Sequence, residues 1–132
     1  MTKTHHGSCH CGAVRYEADL DLGGKATRCN CSVCTKIGST NTNLKPAAFR
    51  LLTEERALAT YSMSPNGTRY FCPKCGVHCF GRGDVPELGG AFVSINVATL
   101  DDVDVGQLEI GHWDGRHDNW QAGLRDRPWP IA

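Results

Sequence analysis

Cysteine placement constrains this chain more than any other feature of its sequence. Eight cysteines occur in 132 residues, and seven of them fall in close groups. These groups are Cys9 with Cys11, Cys29 with Cys31 and Cys34, and Cys72 with Cys75. So many cysteines indicate either a disulfide framework or metal ligation. Two thiols separated by one residue lie on the same side of an extended strand and point at a common third object, so the spacing favours a metal.

Length and composition narrow the classes of protein. With 132 residues and 40% hydrophobic residues, the chain suits one domain, residues 1–132, with its own core. The 14 basic residues balance the 14 acidic ones, so neither nucleic acid nor a membrane surface is an expected partner. Because the sequence has no membrane-length apolar run and residues 1–7 do not resemble a signal peptide, we expect a cytoplasmic protein. Cytosolic thiols stay reduced, which again favours metal over disulfides.

Alternation of apolar and polar residues predicts a mainly β chain. Residues 14–20 and 91–98 alternate with the period of half-buried strands. Residues 68–72 and 77–81 form the predicted arms of a hairpin, and residues 32–37 suit one or two short helical turns. The expected fold is therefore all-β, made of short antiparallel strands.

The sequence Cys72-Pro73-Lys74-Cys75-Gly76 is typical of a zinc knuckle. Its two thiols reach one metal from a tight turn, and the glycine permits the positive φ that this turn needs. A structural zinc ion takes four ligands, so a second pair must come from elsewhere in the chain. Cys9 and Cys11 are the natural donors, and the four thiolates would tie the first strand to the hairpin.

The group of Cys29, Cys31 and Cys34 predicts a different kind of zinc site. Cys29 and Cys31 share one side of a strand end, and Cys31 and Cys34 share a first helical turn. Three protein ligands leave the fourth tetrahedral position open, as in catalytic zinc sites. Zinc with three thiolates binds a further sulfur readily, which favours a thiol substrate over a hydrolytic water.

Several residues near these groups have alternative interpretations. The three-thiol group is either open or a second structural site completed by Cys79 or a histidine. We interpret Cys79 as a small buried side chain and His10 and His78 as hydrogen-bonded strand residues rather than ligands. Ser32 is expected to cap the short helix.

Four stretches, read together, identify a family. They are GSCHCGAV at 7–14, CNCSVC at 29–34, FCPKCG at 71–76 and NVATLD at 96–101. This pattern resembles the glutathione-dependent formaldehyde-activating enzyme family, which also includes centromere protein V. The resemblance implies an Mss4-like all-β fold with two zinc ions. The implied structural ligands are Cys9, Cys11, Cys72 and Cys75, and the implied ligands of the catalytic zinc are Cys29, Cys31 and Cys34.

The family resemblance also implies an activity. It is that of a carbon–sulfur lyase, which joins glutathione and formaldehyde into S-hydroxymethylglutathione, with a small thiol and an aldehyde as partners. Arg28, Lys36 and Arg69 are candidate partners for the carboxylates of glutathione. The segment 112–120 forms either a wall of the substrate pocket or a tail that folds back to bury its tryptophans. The alternative function is a non-catalytic zinc-binding module of Mss4-like fold that mediates protein interaction.

Overall fold

A computed structural model describes residues 1–132 and contains ten strands in two sheets. The strands are β1 (Lys3–Ser8), β2 (Arg15–Leu20), β3 (Lys25–Cys29), β4 (Asn41–Leu44), β5 (Phe49–Leu51), β6 (Ala59–Ser64), β7 (Gly67–Phe71), β8 (His78–Val85), β9 (Gly90–Asn96) and β10 (Glu109–Trp113). The smaller sheet has the order β1-β2-β5, and the larger one has the order β10-β3-β4-β9-β8-β7-β6.

Helical structure is short. One α-helix, α1, spans Ser32–Ile37, and it ends at Gly38, whose φ of 73° is the left-handed conformation expected there. The remaining helical segments are single 3-10 turns, at Pro46–Ala48, Glu55–Ala57, Pro86–Leu88, Val97–Thr99, Val105–Gln107, Gly115–His117 and Trp120–Ala122. None of these helical segments could span a membrane.

The mainly β prediction is confirmed, and so is the hairpin around Cys72 and Cys75, which is formed by β7 and β8. One pair departs from the antiparallel expectation, because β10 runs parallel to β3. Parallel neighbours require a long crossover, and the residues that separate these two strands in the chain make up most of the large sheet.

Two strands carry no apolar alternation and were not expected from the sequence. In β1 the buried side is provided by His5 and by Gly7, which lies against the ring of Tyr16. In β4 the sequence is Asn-Thr-Asn-Leu, and the strand lies in the interior of the large sheet with its neighbours β3 and β9. Pairing along β9, with a single residue pair to β3 on the other edge, therefore stabilises a strand whose composition would suit a loop.

An aromatic core joins the two sheets. Tyr16 and Phe49 come from the small sheet, and Phe80 comes from the large one. The ring centroids of Phe49 and Phe80 are 4.7 Å apart, and those of Tyr16 and Phe49 are 5.3 Å apart. Val93 and Ile95 of β9 are fully buried in the same cluster. This packing fixes both sheets and therefore the loops at their ends, where the cysteines lie.

Candidate metal centres

The first cysteine cluster brings together Cys9, Cys11, Cys72 and Cys75, whose sulfur atoms all lie within 4.8 Å of one another. The sulfur of Cys11 is 3.7 Å from that of Cys9 and 3.6 Å from that of Cys72. Zinc–sulfur bonds of about 2.3 Å place tetrahedral ligands ~3.8 Å apart, so these distances fit one zinc ion. The residues present can therefore hold a zinc ion with a closed set of four sulfurs.

Two tight turns aim these four thiols. Cys9 and Cys11 follow β1, and the backbone N–H of Val14 donates to the sulfur of Cys9 at 3.3 Å. In the knuckle between β7 and β8, the N–H of Gly76 bonds the carbonyl of Cys72 at 2.8 Å, and Gly76 has a φ of 76°. Because β1 belongs to the small sheet and the knuckle to the large one, this cluster connects the two sheets.

Backbone donors favour the thiolate form in this cluster. Hydrogen bonds from the backbone of Cys11 and then of Val77 lower the pKa of Cys75 to about 6. The amide of Lys74 also donates to the sulfur of Cys72, at 3.4 Å. Such donors orient metal-binding sulfurs and stabilise their charge.

Cys79 lies beside this cluster but is not one of its members. Its side chain is fully buried, and its sulfur is 3.5 Å from the carbonyl oxygen of Val77. Burial raises the pKa of Cys79 to about 12, with a further contribution from the neighbouring cysteines. A buried thiol in its neutral form matches the interpretation of Cys79 as a small core residue.

The second cluster contains Cys29, Cys31 and Cys34, again with all sulfurs within 4.8 Å. Cys29 ends β3, and Cys31 stands immediately before α1. The N–H of Cys31 donates to the sulfur of Cys29 at 3.4 Å, and Nη2 of Arg69 lies 3.7 Å from the sulfur of Cys34. Helix α1 has no side-chain cap, so the expected capping role of Ser32 is wrong.

The three thiols share their protons unevenly. Hydrogen bonds from Cys29 and then Cys34 lower the pKa of Cys31 to about 2. Hydrogen bonds with Cys29 and then with Cys31 raise the pKa of Cys34, and the hydrogen bond with Cys31 raises the pKa of Cys29. A bound metal cation would stabilise all three thiolates, and the remaining thiol protons would be released. The three sulfurs therefore suit a thiophilic metal.

None of the proposed fourth ligands joins the second cluster, which has three members. Cys79 lies beside the other cluster, and the side chain of His10 is exposed. His78 is partly buried, and its pKa is lowered to about 4 by burial and then by the charge of Arg69.

A buried carboxylate holds the loop that carries the three thiols. Asp114 accepts hydrogen bonds from Nδ2 of Asn30 at 2.8 Å, from Nδ1 of His117 at 2.7 Å and from Nδ2 of Asn119 at 3.3 Å. Burial raises the pKa of Asp114, but these three donors outweigh it and leave the pKa below its ordinary value. Arg116 also donates to the carbonyl of Asn30 at 2.9 Å. The sequence indicated neither this acceptor nor its partners.

A cavity of about 250 Å³ opens beside the second cluster. Its lining residues are Arg28, Cys29, Asn30, Cys34, Thr35, Gly38, Ser39, His112, Trp113, Pro128, Trp129 and Ile131. Nε1 of Trp129 donates to the carbonyl of His112 at 2.9 Å, which anchors the end of the chain against β10. Of the three candidate cations, Arg28 lines the cavity, Arg69 reaches Cys34, and Lys36 is exposed outside it.

Both interpretations of the segment 112–120 hold in part. His112 and Trp113 line the cavity, as expected of a pocket wall. Trp113 also packs against Trp120, with ring centroids 5.9 Å apart, so the tail folds back, but Trp120 is 49% exposed and the expected burial of the tryptophans is wrong. The same segment therefore contributes both to the wall and to the packing behind it.

Comparison with known proteins agrees with this geometry. A crystal structure of a Rhodobacter sphaeroides protein, 24% identical in sequence, has a TM-score of 0.66 and covers 95% of this chain and 99% of its own. At that identity the similarity shows the fold. Residues 4–114 match the family described as glutathione-dependent formaldehyde-activating enzyme. The chain belongs to the glutathione-dependent formaldehyde-activating enzyme family.

Proposed function

We propose that this protein is a zinc-dependent carbon–sulfur lyase acting on a small thiol–aldehyde adduct. In the forward direction it joins glutathione, or a related thiol, to formaldehyde and yields S-hydroxymethylglutathione or its counterpart. Family membership supports this reaction class. The proposal includes one structural and one catalytic zinc ion in a single domain, and a cytoplasmic location, where thiols remain reduced.

One observation carries the proposal, namely the difference between the two cysteine clusters. The cluster of Cys9, Cys11, Cys72 and Cys75 has four sulfurs, whereas the other cluster has three. A cavity meets the three-thiol cluster at Cys29 and Cys34. An incomplete set of ligands beside a cavity is the arrangement of a catalytic zinc site rather than a structural one.

The reaction needs no oxidant. The thiol sulfur forms a bond to the aldehyde carbon, the carbonyl electron pair moves to oxygen, and the thiol proton ends on the new hydroxyl group. Zinc held by Cys29, Cys31 and Cys34 would favour the thiolate form of the substrate sulfur.

The chain's own residues have three roles in this proposal. Trp113 and Trp129 line the cavity and would limit the access of water to the reacting atoms. Asn30, held by Asp114, orients the loop of Cys29 and Cys31. His112 is the proton carrier: burial and then the charge of Arg28 lower its pKa, so its neutral imidazole can accept the thiol proton.

Exchange NMR tests the reaction directly, by measuring interconversion of glutathione, formaldehyde and their adduct at equilibrium. The zinc-loaded protein is expected to speed exchange over buffer, and Cys31→Ala should abolish the acceleration. Cys79→Ala, which changes a buried cysteine outside both clusters, should retain it. If the wild type gives no acceleration with glutathione or with smaller thiols, the protein is a non-catalytic zinc-binding module instead.

A further inference from the structure

The cavity beside the three-thiol cluster has one wall formed by the C-terminal segment of the chain. Pro128, Trp129 and Ile131 line the cavity, and all three lie beyond residues 4–114, the part that matches the family. Cys29 and Cys34 line the opposite side. The end of the chain therefore shapes the space available to a substrate at this cluster.

Ser39 gives this cavity an unsatisfied polar group. Its side chain lines the cavity, is 7% exposed, and has an Oγ with no hydrogen-bond partner. Buried hydroxyl groups are nearly always paired, because leaving one unpaired costs free energy. An unpaired hydroxyl on a residue that lines a cavity can be completed by a polar atom of a ligand.

The charge of the cavity indicates the kind of ligand. Arg28 lines it, donates from Nε to Oγ1 of Thr40 at 2.7 Å, and forms no ion pair with a carboxylate. No Asp or Glu is among the lining residues. A guanidinium without an acidic partner and a hydroxyl without an acceptor together favour a carboxylate.

The size and shape of the cavity restrict further which ligands can fit. The cavity volume of about 250 Å³ is below the range of about 300 to 1,000 Å³ typical of pockets for drug-sized ligands. Its other walls are the indole rings of Trp113 and Trp129 and the side chain of Ile131. The space suits a short, mostly apolar molecule with one polar end.

We propose that this cavity selects a small thiol with a single carboxylate. The carboxylate is bound by Arg28 and Ser39, the apolar body lies between the tryptophans, and the sulfur faces Cys29 and Cys34. The position of the sulfur rests on the function proposed above, whereas the binding of the carboxylate does not. Arg28 and Ser39 are therefore specificity-determining residues.

Calorimetry with the zinc-loaded, full-length protein tests this assignment, with 3-mercaptopropionate as the probe and 2-mercaptoethanol as the uncharged thiol. Ser39→Ala and Arg28→Gln should each weaken the binding of 3-mercaptopropionate roughly tenfold. Neither variant should change the affinity for 2-mercaptoethanol. Lys36→Gln removes an exposed cation outside the cavity and should change neither affinity. Ser39→Ala is expected to fold normally, because deleting an unpaired buried hydroxyl removes a penalty.

Two further outcomes separate this proposal from the proposed function. The carboxylate site would be refuted if both thiols bound with equal affinity and neither affinity changed in Ser39→Ala or Arg28→Gln. That result would leave the lyase proposal standing. Butyrate, which lacks sulfur, should bind more weakly than 3-mercaptopropionate and show the same sensitivity to both variants. If butyrate binds as tightly as the thiol, the carboxylate site stands but the thiol assignment fails, and the exchange measurement decides the lyase proposal separately.

Discussion

The backbone of Gly115 lies directly against the sulfur of Cys29. A β-carbon placed on Gly115 would be 2.5 Å from that sulfur and 2.7 Å from the indole ring of Trp120. The ring of Trp120 also packs on Trp113, with centroids 5.9 Å apart, so this contact belongs to the packing beside the cluster. Gly115 therefore allows the segment after β10 to close over one side of the three-thiol cluster.

Gly115→Ala is expected to remove zinc from the three-thiol cluster and to cost about 1 to 3 kcal/mol of stability by overpacking. Metal analysis should find one zinc ion per chain instead of the proposed two. Gly67→Ala is a matched control, because its β-carbon would meet only a backbone oxygen at 3.7 Å. Two tightly bound zinc ions in Gly115→Ala would show that the close contact does not constrain the site.

The two clusters should differ in their effect on folding. Cys75→Ala is expected to prevent folding, because its cluster connects chain segments from both sheets. Cys31→Ala should lose one zinc ion without unfolding, since its three thiols lie close together in the chain. Cys79→Ala, a buried non-ligand control, should keep both ions and lose roughly 1 kcal/mol. Circular dichroism and metal analysis would distinguish these cases, and a cooperatively melting Cys75→Ala protein would contradict the structural role.

Arg69 is expected to support zinc binding at the three-thiol cluster through its contact with the sulfur of Cys34. Arg69→Gln removes this charge and should lower the affinity for one zinc ion by about 10- to 100-fold, as found for other outer-shell partners. Competition with a chelator measures both affinities, and the four-thiol cluster should be unaffected. Arg56→Gln, on the exposed 3-10 turn after β5, provides the control. Equal chelator resistance of Arg69→Gln and the wild type would refute the role.

His78 should make stability depend on pH. Burial first, and the charge of Arg69 second, lower its pKa from 6.5 to about 4. Because the unfolded chain binds a proton between these values and the folded chain does not, stability falls as pH decreases through this window. At pH 5.5 the wild type should have lost on the order of 1 kcal/mol more than His78→Gln, relative to pH 8. Thermal melts of both proteins at both pH values check this, and an equal loss would argue against a neutral buried imidazole.

The cysteine clusters could be predicted from the sequence because metal ligation requires short separations between ligands along the chain, and these do not depend on the overall fold. Cys72 and Cys75 sit in a knuckle whose turn needs Gly76, and the spacing of Cys29, Cys31 and Cys34 is local. Hairpin β7–β8 followed from the same local rules. Predictions of this kind depend only on residues that are close in the chain.

Contacts between residues that are distant in the chain could not be predicted in the same way. Strand β4 has a polar sequence and is held mainly by its pairing along β9. The parallel pairing of β10 with β3 places His112 and Trp113 beside Arg28 and Cys29, and no periodicity in the chain's final segment signals this. The role of Asp114 as acceptor for Asn30 joins residues 84 positions apart. Such contacts arise from packing, and only the folded structure reveals them.

The cluster of Cys29, Cys31 and Cys34 is expected to be open and to accept the sulfur of a substrate. Cadmium-113 NMR of the cadmium-substituted protein tests it most directly, because the chemical shift reports the number of sulfur ligands. We predict two resonances, of which only the one lost in Cys31→Ala moves toward the four-sulfur range when a thiol is added. A thiol that moves neither resonance, or that moves the one dependent on Cys75, would show that the three-thiol cluster does not take the substrate sulfur.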